Sequence, residues 1–238
     1  MKYLIDTHTH TIASGHAYNT IDEMTRKAAE LGLANIGITE HAPKMWGSCG
    51  VLYFSNLKVV PREKYGVRRY MGCEANIMDF TGKLDLPDKI LSQMDIVIAS
   101  FHTPCIKAGS VEENTAALIE VIKNPLVHIV GHPDDSRYPI DMEAVVKAAK
   151  EYHKLLELNN TSLRPIGPRL NARDNDIQLL EMCKQYGVCI SLGSDAHIEE
   201  DICNFALAEE LLKEVDFPES LIANMDMELM NSYLLANK

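Results

Sequence analysis

Short apolar runs recur along the chain, and nearly every one ends on polar residues bearing an imidazole or a carboxylate. Tyr3-Leu4-Ile5 runs into Asp6-Thr7-His8-Thr9-His10, and the run at 34–39 into Glu40-His41. The run at 67–77 carries Glu74 near its end, 96–100 leads to Phe101-His102, and 127–130 leads to Gly131-His132-Pro133. Lys154-Leu155-Leu156-Glu157-Leu158 meets Asn159-Asn160-Thr161, and 188–192 closes on Gly193-Ser194-Asp195-Ala196-His197. Runs this compact predict buried strands. Amphipathic stretches between them predict helices. Thr20 or Asp22 caps one over about 23–31, with Gly32 as its stop, and Ser110 caps another over 111–122, with Glu112 and Glu113 near its positive end. Others are expected from about Pro87 and over 141–152, 176–186 and 201–212, and the tail from Pro218 gives a short helix and a last one through Leu229 and Leu234. Residues 43–65, with the lone Trp46, are the least regular part: an excursion that borders a pocket, or a plain surface insertion.

Seven strand-like segments alternating with helices mean a mostly parallel sheet under helical cover. No glycine-rich dinucleotide fingerprint follows the first strand and no phosphate-loop motif occurs, so the common open-sheet nucleotide folds lack their signatures. Chemistry drawn from the C-terminal ends of many strands is the habit of barrels. The expectation is therefore an α/β fold, a distorted seven-stranded (β/α) barrel of the TIM-like kind, with residues 1–238 forming one domain. The 46% hydrophobic content supports a real core. No apolar run is long enough to span a membrane and no signal peptide is recognisable, which makes the cytoplasm the expected location. A formal charge of -11 disfavours nucleic-acid partners, although bound cations would neutralise part of it. The six cysteines form no CxxC pair and are expected to be reduced.

Histidine changes the picture most. In a strand, residues two apart share a face, so His8 and His10 leave the first strand together, with Asp6 expected on the same face. Asp195-Ala196-His197 repeats that stride at another strand end. His8, His10, His16, His41, Glu74, His102, His132, Asp195 and His197 are all donors that zinc, manganese or iron accepts. Nine donors exceed the three or four that one catalytic zinc needs, which implies two or three ions and a bridging carboxylate. His128 lies inside an apolar strand below the presumed site, and His153 follows a helix and faces solvent or the helix end. Asp6 either binds metal or orients a liganding histidine. A phosphate-gripping cation is sought among Arg62, Arg164, Arg169 and Arg173, which follow strand ends, with Lys44 weaker.

In order and spacing, Asp-Thr-His-Thr-His (6–10), Ser-Gly-His-Ala-Tyr (14–18), Thr-Glu-His (39–41), Gly-Cys-Glu-Ala-Asn (72–76), Phe-His (101–102), Gly-His-Pro (131–133), Glu-Leu-Asn-Asn (157–160) and Gly-Ser-Asp-Ala-His (193–197) span nearly the whole chain. The sequence so resembles the polymerase-and-histidinol-phosphatase (PHP) superfamily, nearest its small stand-alone phosphatases of the YcdX type. One departure is Glu40, where the family usually has Asp. The resemblance implies a trinuclear site, with Zn2+ the expected ion, three per chain, and Mn2+ or Fe2+ admissible. His8, His10, Glu74 and Asp195 would hold one ion, Glu74, His102 and His132 a second, and His16, His41 and His197 the third. It implies hydrolysis of a small phosphorylated substrate by a metal-bridging hydroxide, with Glu74, Asp195 and His197 as the catalytic residues and the general acid left open, and a homo-oligomer, with the trimer suggested by the resemblance alone. Two rivals keep the fold: an amidohydrolase-like enzyme acting on a carbonyl, which commonly needs a strand-end lysine that is absent here, and a structural PHP module of a polymerase.

Overall fold

The computed structural model describes residues 1–235, so the last three positions of the expected domain lie outside the described residues. The strands are β1 (Ile5–Asp6), β2 (Asn35–His41), β3 (Glu63–Lys64), β4 (Val67–Asn76), β5 (Ile96–Ser100), β6 (Ile129–Val130), β7 (Leu155–Asn159) and β8 (Ile190–Gly193). Seven of them pair in parallel in chain order, and β3 only folds back antiparallel on β4. The helices are α1 (Ile21–Glu30), α2 (Val51–Asn56), α3 (Asp88–Leu91), α4 (Val111–Lys123), α5 (Met142–Glu151), α6 (Ala172–Tyr186), α7 (Ala206–Glu214) and α8 (Met227–Leu234). Thr20 and Ser110 cap α1 and α4 through full capping boxes with Glu23 and Glu113.

The sheet closes on itself at one end. Thr9 pairs with Ala196, the Asp195 amide donates to the His8 carbonyl at 2.9 Å, and the His10 amide to the Ala196 carbonyl at 2.8 Å. Lower down, Asn224 stands between β1 and β8. Its side-chain amide donates to the carbonyls of Ile5 and Leu192, and its carbonyl accepts from the Leu192 amide at 2.7 Å. The result is the expected seven-stranded barrel, nearly closed, with its distortion at this seam.

Strand alternation sorts the interior from the cover. Ile5, Tyr70, Ile96, Ile98, Ile129 and Leu155 fill the lower barrel, and Met230, Tyr233 and Leu234 of α8 plug its floor. Val97, Ala99, Leu156 and Leu158 face the helices instead. On β4 the inward series Tyr70, Gly72, Glu74, Asn76 passes from apolar floor to polar rim, which is why the barrel's chemistry sits at its C-terminal end.

Three of the boundaries that differ from expectation have a reason in the structure. β6 is two residues long because the Val97 amide donates to the His128 imidazole, at 2.9 Å, where a ladder would use a backbone carbonyl. His128 is thus a part of the lower barrel wall. α6 begins at Ala172 after Asn171 in a left-handed turn, so Asp176 is a buried helical residue and not a start. α7 begins at Ala206, not Asp201, because the chain turns through Cys203 at φ 57° and the first helical amides, Leu207 and Ala208, donate to Asn160. The 43–65 excursion contains α2, a 3-10 turn and β3. His153 stacks on Tyr233 with ring centroids 3.9 Å apart.

Candidate metal centre

Register places the donors. β2 and β4 pair so that His41 lies beside Glu74, and the β4–β5 register puts Asn76 beside Ser100, two residues before His102. The closing bridge sets His8 and His10 against Asp195, Ala196 and His197. Two of these residues, His132 (φ 31°) and Asp195 (φ 56°), hold a left-handed backbone that side-chain-bearing residues seldom adopt, as often happens where a site fixes the chain.

All nine expected donors meet at one place. Glu74 is its middle: Oε1 lies 2.8 Å from His132 Nε2 and 3.1 Å from His102 Nε2, while Oε2 lies 2.6 Å from His41 Nδ1, 3.4 Å from His8 Nε2 and 3.7 Å from His10 Nε2. Asp195 Oδ1 is 3.3 Å from His10 Nε2 and 3.7 Å from His8 Nε2. The His16 ring lies 4.9 Å from that of His41 and 4.7 Å from that of His197. Three overlapping groups have donor atoms within 4.8 Å of one another: His8–His10–Glu74, His41–Glu74–His102 and His10–His41–His197.

The donor set fits divalent cations. His41 Nδ1 and Glu74 Oε2 are buried 2.6 Å apart without hydrogen-bond geometry, two orphaned polar atoms that a shared cation would satisfy. Other ring nitrogens are already committed. His102 Nδ1 bonds to Asn76 Oδ1 at 2.7 Å, His197 Nδ1 to the Asp195 carbonyl at 2.9 Å, His8 Nδ1 to Glu157 Oε1 at 2.6 Å, and His10 Nδ1 to Ser14 Oγ at 3.1 Å. An Nδ1–H donated outward leaves each Nε2 lone pair aimed inward. The Ser14 hydroxyl itself donates to Glu40 at 2.6 Å, and Glu40 also accepts from the Thr11 amide and hydroxyl. Glu40 therefore anchors His10 from behind, and the family departure at this position falls on orientation.

Charge follows the same logic. Burial would raise Glu74 and Asp195, but the histidines around Glu74, and His8, His10 and Arg169 around Asp195, hold both well below the usual carboxylate range. Burial, with the charges of His41 and His197, lowers His10 and His16 and keeps them neutral. Burial would also lower His8, yet Glu157, Glu74 and Asp195 raise it well above the ordinary histidine range. The carboxylates thus demand a positive charge at the centre of the site.

Glu157 opens the 157–160 motif, but its sequence context gave it no role at the site. It is fully buried, holds His8, accepts the His132 amide at 2.9 Å, and is approached so closely that a Cβ on Gly193 would lie 2.0 Å from its Oε1. Asp6, in contrast, points away from the donors. Ile5 faces the interior, and the Asp6 carboxylate accepts the amides of His8, Ser194 and Cys203.

The four arginine candidates separate. Arg169 lies at the edge of the donor cluster, its guanidinium 3.2 Å from Asp195 Oδ2 and 2.9 Å from Ser162 Oγ, with the buried Asp134 and Asp176 adding to its surroundings. Arg164 pairs with Asp201 at 2.8 Å on the same end of the barrel. Arg62 is at the opposite end, paired with Asp95 at 2.7 Å just before β5 and donating to the Leu57 and Val60 carbonyls. Its loop follows α2 down the barrel, so it is a brace for the strand entrance. Arg173 is exposed and paired with Glu214.

Comparison with known proteins gives the family from two directions and the fold from a third. The PHP domain model matches residues 6–215. Proteins named "Probable phosphatase" from Clostridium novyi and Caldicellulosiruptor bescii are 48% identical over 234 residues and 49% identical over 230. The alignments cover 98% and 97% of this chain and 95% of each relative. The crystal structure of histidinol phosphate phosphatase from Lactococcus lactis, complexed with zinc, L-histidinol and phosphate, superposes with a TM-score of 0.60 at 19% identity, covering 91% of this chain and 95% of that one. With its strand-end donors, its barrel and these relatives together, the chain belongs to the PHP-domain family and to the phosphatases within it.

Proposed function

We propose that the chain is a phosphoester hydrolase working through a trinuclear centre in a single barrel domain. The observation that carries this is Glu74, whose two oxygens face different histidine sets on opposite sides. A carboxylate so placed is built to bridge. In this reading His8, His10, Glu74 and Asp195 hold one ion, Glu74, His102 and His132 a second, and His16, His41 and His197 the third. Imidazole and carboxylate donors favour zinc, with manganese or iron as the alternatives. Bound divalent ions supply an acidified water and charge for the phosphoryl oxygens.

The chain's own residues do the rest. Glu74 and Asp195 stay ionised and so remain donors at neutral pH. Glu157, Ser14 and Asn76 fix the rings of His8, His10 and His102. Arg169 brings a guanidinium to the edge of the donor cluster, where its fork fits phosphate oxygens. Arg164 is the second candidate on that rim. Among the described residues no helix is long and apolar enough to cross a membrane, and the substrate in this reading is a small phosphorylated molecule of the cytoplasm.

Metal analysis of purified protein together with hydrolysis of a phosphoester panel tests the reading. The wild type is expected to hold more than one transition metal per chain, and Glu74→Gln to lose activity by more than about 100-fold, with metal content reduced. Protein that binds no transition ion when offered an excess, or a fully active Glu74→Gln, would overturn it.

A further inference from the structure

Past the C-terminal end of β4 the chain doubles back on itself. The Met78 amide donates to the Lys83 carbonyl at 2.8 Å, and Ile77 pairs antiparallel with Leu84. The turn between them is held by Asp79, which accepts from the Thr81 amide at 2.9 Å, and it passes through Gly82 at φ 75°. This returns the half-buried Asp85 to the side of Asn76, where both of its oxygens are engaged. Oδ1 accepts from the Asn76 amide at 2.8 Å, and Oδ2 accepts from the Asn76 side-chain nitrogen at 2.7 Å and from the Lys44 amide at 2.9 Å. Asn76 stands two residues beyond Glu74, and Lys44 three beyond His41. One carboxylate thus joins the chain after β2 to the end of β4.

Its reach into the metal centre runs through the fully buried Asn76 side chain. The Asn76 nitrogen donates to Asp85 Oδ2 and, at 3.2 Å, to the Ala42 carbonyl, so both of its hydrogens are used. Its oxygen is left for His102 Nδ1, 2.7 Å away. Turned over, the amide would set that oxygen against a carboxylate and a carbonyl, and its N–H groups against His102 Nδ1. The imidazole would then accept at Nδ1 and carry its proton on Nε2. Glu74 Oε1, 3.1 Å from Nε2, would hold the proton there, and a protonated Nε2 has no lone pair for an ion. The two tautomers of His102 therefore have acceptors on opposite sides, and the direction of one buried amide separates them. Of the two groups that fix that direction, Asp85 is the charged one and the closer. Closing the 77–85 turn needs only backbone amides; the bond to the Asn76 side chain is additional.

We propose that Asp85 is a positioning residue: through Asn76 it holds His102 in the tautomer that carries its proton on Nδ1, and so governs the ion shared by Glu74, His102 and His132. This rests on the three-ion reading of the site.

Chelator competition on zinc-loaded protein reads the ions apart from turnover. Asp85→Ala is expected to weaken one ion per chain by about 10-fold and to leave the others unchanged. A charge swap tests the relay where the alanine variant loosens the turn. Asn76→Asp sets two carboxylates face to face, and Asp85→Asn sets an amide nitrogen against N–H donors. Each alone should lower the same ion's affinity by about 10-fold. In the variant that carries both changes, the new amide donates to the new carboxylate, whose other oxygen still accepts from His102. Its affinity should return to within about 3-fold of the wild type. Losses that add in that double variant, all ions weakened alike in Asp85→Ala, or no change in it, overturn the proposal. A wild type that holds a single ion counts against the three-ion reading instead, and nitrogen NMR of histidine-labelled, metal-free protein then decides the relay. The His102 signal, identified by its loss in His102→Gln, is expected to show the proton on Nδ1 in the wild type and on Nε2 in Asp85→Ala. The same tautomer in both overturns it.

Discussion

At the scale of single residues, the His8 imidazole shows how the site is held. Its Nδ1 is fastened to Glu157, whose other oxygen accepts the His132 amide, so one buried carboxylate orients donors from two strand ends. Glu157→Gln keeps the size and removes the charge. The variant is expected to fold and to bind metal about 10- to 100-fold more weakly, as read by competition with a chromogenic chelator. An unchanged affinity would mean that Glu157 only fills space. The donors themselves were legible, because histidine and carboxylate at strand ends have few bland explanations. The role of Glu157 was not, because its place in the 157–160 motif does not say what it touches; its meaning lies in His8, which is 149 positions away in the chain. Asp6 failed for a related reason. Strand parity put it with His8, but pairing stops at Asp6, and beyond that point the alternation no longer applies. Arg62 and Arg169 look alike in sequence as loop arginines, and only the fold puts one at each end of the barrel.

At the scale of elements, the barrel's seam decides what is strong. β1 is two residues long and β8 four, and their lower halves are joined by Asn224 where backbone pairing is missing. Asn224→Ala removes three hydrogen bonds and takes the side-chain partner from the buried Leu192 amide and Ile5 carbonyl, while the Leu192 carbonyl keeps the Thr7 hydroxyl. A loss of about 3 kcal/mol is expected, read as a lower urea midpoint with an unchanged slope. A variant as stable as the wild type would show that water or a shifted 222–224 segment replaces the bonds. Strands and capped helices were readable because their signals are local: Thr20 and Ser110 announce α1 and α4 with a glutamate three residues on. The start of α7 was not. Its amides are capped by Asn160, which comes from the end of another strand, so nothing near residue 206 marks the boundary. The seam was equally hidden, since an asparagine in the tail gives no hint that it will stand in for a ladder.

At the scale of the whole molecule, the acidic balance and the site meet in one question: what neutralises the buried end of the barrel. Glu74, Asp195 and Glu157 are buried there and held ionised, burial pushes the neighbouring Asp134 and Asp176 carboxyls up towards their neutral form, and Arg169 is the cation among them. Without metal, much of that charge must be met by protons on histidine, His8 above all. Bound ions would replace those protons, so metal binding and folding are coupled. If free metal stands about 1000-fold above its dissociation constant, the coupling is worth about 4 kcal/mol. At this chain length that corresponds to a rise in Tm of roughly 8–16 °C. The sign with pH follows from the competition. Histidine donors must be neutral to bind, so the metal-dependent part of Tm is expected to be full above neutrality and to shrink as pH falls through the histidine range, around 6.5. His8, raised by its carboxylates, begins that loss first on the way down. Thermal melts of metal-loaded and chelator-stripped protein at several pH values measure the difference directly. A gap that stays constant from neutral to acidic pH, or no gap at all once metal analysis shows the ions gone, would break the link between the donor cluster and the fold.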